Sequence, residues 1–432
     1  MIRYLLGSTA LLGVVAFGSS VNAETKTPTP SLATPQLKIS GQTSFNSWFF
    51  KNKSIYLPTD AKNTPCKTQT YSRGQLFTMD NARLKFDVSG KSDRGMEYGL
   101  VITLDGGAHA EKNVREDYLY FSGSWGKLLL GDTYGVEDTM AFGGFDQIGG
   151  TGGFNGDFSR VVNFTTGDVH SVNLVGETSR DTKLTYFTPR WNGIQAGASY
   201  TPRTEHRGEM KIDSGKSYLT PKEPFGTDNI ASGVNFIHKF VSGFEMALSA
   251  TSIFAHAHPE YKKAHNRRNV ASFAFGGTFS YQNVGFSTEY GNNGRSYQFK
   301  GQHKSNAGQF VDFGLSYTWG ATKFGVGYYF GWRNALGSTN PAAVLAGTSS
   351  ALFSNYKRVK AKTNIVSATI DQKIAPGLGI YAEYDYYHAD NPAAKVEAAR
   401  RNTSLGSDCG GFIGGVPNNK ANVFVVGSRL VF

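Results

Sequence analysis

The chain has 432 residues, of which 13% are aromatic, with 52 glycines against 14 prolines. Disordered chains avoid aromatics, and glycine costs about 1 kcal/mol in a helix interior, so this mixture excludes a disordered or mainly helical protein. The formal charge of +11 would suit nucleic acid, but no zinc-ligand spacing or long basic helix accompanies it, and no nucleic-acid partner is expected.

The first element is MIRYLLGSTALLGVVAFGSSVNA. Arg3 precedes an apolar stretch, and Val21-Asn22-Ala23 offers small groups for cleavage. Residues 1–23 therefore read as a secretory signal peptide. The stretch is too short to span a membrane comfortably, and no later segment offers a run of about 18 apolar residues. Residues 24–35, polar and dotted with proline, read as a flexible leader.

From residue 36 to 432 one pattern repeats: an alternating segment, a short turn, another alternating segment, a long polar loop. The clear segments are 37–45, 81–88, 96–105, 126–132 and 193–201, then 243–252, 272–281, 284–290 and 310–319. The last are 322–332, 364–372, 378–387 and the terminal run ANVFVVGSRLVF. Weaker strands at 112–122, 181–189 and 229–240 bring the count to sixteen. Each has a period of two, the signature of a strand. In 378–387, Leu378, Ile380, Ala382, Tyr384 and Tyr386 share one side, while Tyr381, Glu383 and Asp385 share the other. In 322–332, Phe324, Val326, Tyr328, Phe330 and Trp332 face one way.

Short and long connections interleave strictly, as in an antiparallel barrel with turns at one end and loops at the other. A soluble sandwich also uses many strands, but it buries one face in a shared core. Here tyrosine and tryptophan crowd the segment ends, as an interfacial belt requires. Lipid offers backbone groups no partner, so a spanning sheet must close. The terminal strand, with Leu430 and Phe432 on its apolar face, is expected to pair with the first. Even parity places both termini at the short-turn end.

The order of EDYLYFSGSWGKLLLGDTYG (116–135), KLTYFTPRWNGIQAGASYTP (183–202) and the terminal VFVVGSRLVF resembles the Gram-negative general porins of alphaproteobacteria. The resemblance covers the whole chain after the signal. It implies an all-β outer-membrane barrel of sixteen strands, with short periplasmic turns and long extracellular loops. It implies a homotrimer in contact with outer-membrane lipid and lipopolysaccharide. It also implies a water-filled pore passing ions and small hydrophilic solutes, narrowed by an inward-folded third loop. That loop, about 135–180, is long enough to hold a helix or an extra hairpin. No enzymatic activity and no cofactor are implied.

A diffusion pore works by size and field. Acids on the third loop, Glu137, Asp138, Asp146 and Asp157, are candidates for one wall of a constriction. Bases on the small-residue faces, Lys38, Arg83, Lys85 and Arg115, are candidates for the other. Alternation sets Arg83 and Lys85 opposite Leu84 and Phe86; the strand of Arg115 has aromatics on both faces and leaves its side open. The glycines at 143, 144, 149, 150, 152, 153 and 156 suit tight folding where room is short.

Other chemistries lack support. Gly215-Lys216-Ser217 copies the tail of a phosphate-binding loop, but Met210 stands where its first glycine belongs. His256, His258 and His265 have no helix to converge them and no acid between them, so no metal site is expected. A substrate-selective porin, for phosphate or sugar, is the alternative within transport; a sugar slide would need aromatics along the lumen face, and Tyr329, Tyr381 and Tyr387 are scattered. A non-transport surface barrel remains the alternative outside transport, although sixteen strands leave a lumen too wide for side chains to fill. Cys66 and Cys409 fall in the loops after the first strand and before the last. Barrel closure makes those loops neighbours and export permits oxidation, so a disulfide is expected.

Overall fold

A computed structural model describes residues 35–53, 74–106, 114–164, 168–204, 226–257, 267–298, 300, 306–336, 358–391 and 418–432. The expected signal peptide, the leader up to residue 34, and both Cys66 and Cys409 lie outside the described residues.

The strands are β1 (Gln36–Asn52), β2 (Gly74–Lys91), β3 (Glu97–Asp105), β4 (Val114–Gly123), β5 (Gly126–Asp132), β6 (Thr182–Phe187), β7 (Ile194–Arg203) and β8 (Gly226–Lys239). They continue as β9 (Glu245–Ala257), β10 (Val270–Tyr281), β11 (Val284–Asn292), β12 (Gln309–Trp319), β13 (Thr322–Leu336), β14 (Arg358–Ala375), β15 (Leu378–Asp390) and β16 (Asn418–Val431). Each pairs with its neighbours in sequence, and β16 pairs antiparallel with β1, so the sheet is a closed barrel. All sixteen expected strands are present in the expected order.

The terminal run pairs with the first strand, as expected. Leu430 stands opposite Thr43 on β1 and Leu378 on β15. Phe432 N donates to Gly41 O at 3.0 Å, and Gly41 N donates to Phe432 O at 2.9 Å. Both side chains are exposed, on one apolar outer band with Phe45, Phe424 and Val426.

The burial pattern inverts that of a soluble sheet. On β15, Leu378, Ile380 and Tyr384 are exposed, whereas Tyr381, Glu383, Asp385 and Tyr387 are buried. On β13, Phe324, Val326 and Tyr328 are exposed and Tyr329 is buried. Exposed apolar residues with buried polar ones suit a sheet whose outer solvent is hydrocarbon. Closure leaves the sheet without a free edge, as hydrocarbon requires. The short connections carry their own turn chemistry: Asn192 (φ 46°) and Gly193 (φ 88°) provide the paired left-handed residues of a tight hairpin between β6 and β7.

The strands run further than the alternation suggests. β1 continues to Asn52 and β2 starts at Gly74, well beyond the alternating segments 37–45 and 81–88. In β1 both faces are aromatic, which blurs the period: Phe49 is exposed, while Trp48 is buried and donates from Nε1 to Thr78 Oγ1 at 2.8 Å. In β2 a bulge resets the phase. Ser44 pairs with Asp80 but Gln42 pairs with Arg83, and Asn81 takes up the irregularity at φ 53°.

Candidate functional site

The connection from β5 to β6 begins with α1 (Val136–Thr139), one helical turn, and continues through three 3-10 turns at Gly144–Gln147, Gly153–Asn155 and Asp157–Arg160. Of the helix or extra hairpin that its length allows, the helix forms as this single turn, and among the described residues there is no hairpin. Glycines let its backbone lie directly on strand side chains. Gly144 N donates to Asp312 Oδ1 on β12 at 2.6 Å. Gly150 N donates to Asp371 Oδ2 on β14 at 2.9 Å. Thr151 donates from N and Oγ1 to the two oxygens of Glu383 on β15, at 2.5 and 2.6 Å. Arg429 on β16 joins Asp371 at 3.1 Å and Gly150 O at 3.3 Å.

Other bonds tie the connection to further strands. Ser199 on β7 accepts from Val136 N, and Ser249 on β9 accepts from Phe142 N. Ser287 on β11 accepts from Gln147 Nε2 at 2.6 Å. On the returning half, Asp168 accepts from Tyr387 on β15 and sits 2.6 Å from His170 Nδ1. A buried apolar cluster of Met140, Ile148, Phe154 and Phe158 fills beneath these contacts with Tyr329 and Ile365.

The four acids read from the sequence take different places. Glu137 is buried, and its Oε1 accepts from Thr178 N at 3.2 Å and Thr178 Oγ1 at 2.7 Å, joining the two halves of the connection. Asp138 lines a cleft with Asn155, Asn173 and Glu177. Asp146 Oδ2 accepts from Gly143 N and from Thr278 Oγ1, both at 3.1 Å. Asp157 Oδ1 lies 3.2 Å from Arg160, whose other nitrogen is 2.6 Å from Asp80 on β2. Burial pushes the Asp157 carboxyl up; Arg160 opposes that, Asp80 adds to it, and Arg83 pulls down more weakly.

The four bases share one face of the β1–β4 sector. Lys38 stands opposite Asp87, Arg83 opposite Asp105, and Lys85 opposite Thr103. Arg115 is the residue left over where Thr103 pairs with Glu116 and Leu104 with Val114, and that bulge turns it toward Asp105 Oδ2 at 3.2 Å. Arg83 Nε lies 3.9 Å from the same oxygen.

Sequence reasoning missed Tyr134, Arg160 and Arg180. Arg115 and Arg180 both donate to the Tyr134 oxygen, at 3.0 and 2.9 Å. Burial pushes the Tyr134 phenol up against the pull of these two cations. It also missed the acids that receive the connection, Asp312, Asp371 and Glu383. Their signal was present for Glu383, which alternation sets on the polar side of its strand. Among the described residues no group of His, Cys, Asp and Glu could hold a metal ion. His256 instead meets Asn269 at 3.1 Å, and His258 and His265 lie outside the described residues.

Known proteins share this chain's length and architecture. An uncharacterised protein of Rickettsia prowazekii is 23% identical over 91% of this chain and 96% of its own. A Rickettsia typhi protein is also 23% identical, over 91% and 96%. Among solved structures, an anion-selective porin from Comamonas acidovorans superposes with a TM-score of 0.53 at 12% identity, covering 92% of this chain and all of that one. OmpT of Vibrio cholerae lacking loop L8 gives 0.53 at 12% identity, over 92% and 99%. These likenesses show the fold. Residues 8–392 match the model of the family described as Gram-negative porin. With a closed sixteen-stranded barrel that exposes apolar side chains and buries polar ones, the chain belongs to the Gram-negative porin family of the outer membrane.

Proposed function

We propose that the protein is a passive diffusion pore for ions and small hydrophilic solutes, and that the β5–β6 connection folds into its lumen as a constriction. One observation carries the reading. The connection bonds to strands spread around the closed ring, among them β2, β7, β9, β12, β14 and β15. A segment outside a barrel cannot reach all of them. On the β2–β5 sector, where Asp80 and Arg115 also bond to the connection, Arg83, Lys85 and Arg115 share the polar face. Asp157 feels the field of Arg83, which supports an acid-facing-base gap. Acid on one side and base on the other set a transverse field that favours polar over apolar solutes.

The remaining parts of the reading concern assembly. The protein is exported by residues 1–23, so N-terminal sequencing of purified protein is expected to begin at Glu24. It carries its long connections on the extracellular side and its short turns in the periplasm, and it sits as a homotrimer among outer-membrane lipid and lipopolysaccharide. The Vibrio cholerae OmpT that shares this fold is described in a trimer form, and the apolar band around Phe45, Phe424 and Phe432 suits either lipid or a second copy. Selectivity leans toward anions on the net charge, +11 for the full chain and +10 once Arg3 leaves with residues 1–23.

Planar-bilayer recording of purified protein tests the reading. Stepwise ohmic openings in groups of three are expected. A silent bilayer, with the barrel folded by circular dichroism, would overturn the transport function.

A further inference from the structure

Along the β1–β4 sector, charges form rungs. Arg83 pairs in register with Asp105. Two residues along, Lys85 pairs with Thr103 and Thr103 with Glu116, and Thr103 Oγ1 donates to Glu116 Oε2 at 3.4 Å. Two residues further, Lys38 pairs with Asp87. Each rung offers an acid and at least one base on the same face, the first holding both Arg83 and Arg115 against Asp105. Strands lie about 4.8 Å apart and residues advance about 3.4 Å, so successive rungs are roughly 7 Å apart, and Lys85 and Glu116 stand on backbones roughly 10 Å apart.

We propose that this ladder selects zwitterionic solutes, with short peptides as the class that fits. The inference rests on the pore reading and names its solute. An anion meets an acid at every rung and a cation meets a base, so each gains and loses in turn. A molecule with both signs keeps both ends paired. The ends of an extended dipeptide lie roughly 7 Å apart, which the long lysine and glutamate side chains of the middle rung bracket from either side. Moving on, it exchanges one base–acid rung for the next before leaving the last. The rungs are partly solvated, so each holds the solute weakly, as passage requires.

The middle rung is the one to test, because neither Lys85 nor Glu116 carries the ion pair that holds Asp105. Liposome swelling is measured with glycylglycine and with N-acetylglycinamide, close in size but uncharged. Wild-type protein is expected to pass the zwitterion faster. Lys85→Gln with Glu116→Gln is expected to lower the zwitterion-to-neutral ratio by roughly threefold, the worth of a partly solvated ion pair. The exchanged pair Lys85→Glu with Glu116→Lys is expected to restore it, which a merely structural role for the two residues does not predict. Equal rates for both solutes in wild type, or a ratio unmoved by the double substitution, overturns the inference and leaves the pore reading standing. Passage of neither solute overturns the pore reading and this inference with it.

Discussion

At the scale of single residues, Asp157 shows how position changes a carboxylate. Its burial raises its proton affinity, and Arg160 restrains that rise. Protonation therefore begins at a higher pH than for an exposed aspartate, whose value lies near 3.9. The negative charge is present above the raised value and is lost as the pH falls through it. The ionised carboxylate is for the same reason a cost to the fold at neutral pH, relieved on acidification. In a salt gradient, the reversal potential is expected to move toward anions on acidification, with its midpoint above that of an ordinary aspartate. Asp146→Asn with Asp157→Asn is expected to produce the anion-ward shift at neutral pH and to flatten this titration. A reversal potential unchanged by the double substitution would remove both acids from any major part in selectivity.

At the scale of elements, the β5–β6 connection is held through its backbone. Gly150 has φ 59°, donates to Asp371 and accepts from Arg429. A Cβ built there would stand 2.3 Å from Glu383 Oε2. Gly150→Ala combines a left-handed backbone with a collision against a buried carboxylate, a strain on the order of 1–3 kcal/mol. The tip at 149–151 is expected to lift from β14 and β15, giving a noisier single-channel current and faster proteolysis within 135–180. Wild-type noise and wild-type cleavage would show that the tip is held by other means. Arg115 illustrates a second device of this scale. A bulge between β3 and β4, which no period-two count reveals, turns its guanidinium toward Asp105 and Tyr134.

At the scale of the molecule, the ring is closed by β1 and β16, and the bases of the loops that leave them touch. Lys53 N donates to Lys420 O at 2.8 Å, and Asn419 Nδ2 donates to Asn52 Oδ1 at 3.0 Å. Cys66 and Cys409 belong to the two loops that spring from these adjacent ends. A disulfide between them is expected to link β1 to β16 and to add on the order of 2–4 kcal/mol, chiefly by restricting the unfolded chain. Non-reducing peptide mapping is expected to return the two cysteines in one linked fragment, and separate thiol peptides would refute the bond. Deleting residues 418–432 removes β16 and leaves β1 and β15 with unpaired ladders, which hydrocarbon does not tolerate. The truncated chain is expected to lose the compact, fast-migrating form in unheated detergent gels; its retention would show that closure does not depend on this strand.

The sequence by itself determined the strands, their number and order, the meeting of first and last, and the two faces of β15. Each is local: lipid outside and a polar face inside impose a period of two on every strand, and a closed ring of alternating short and long connections leaves little freedom of topology. Only the tertiary structure decided which wall groups receive the β5–β6 connection. Its bonds to Asp312 and Glu383 join residues 168 and 232 positions apart, and the donors are backbone amides of glycine and threonine, which leave no pattern in the side chains. The bulges at Asn81 and Arg115 escaped for a related reason. An extra residue shifts the phase of a strand, and without the partner strand there is no reference against which to see the shift.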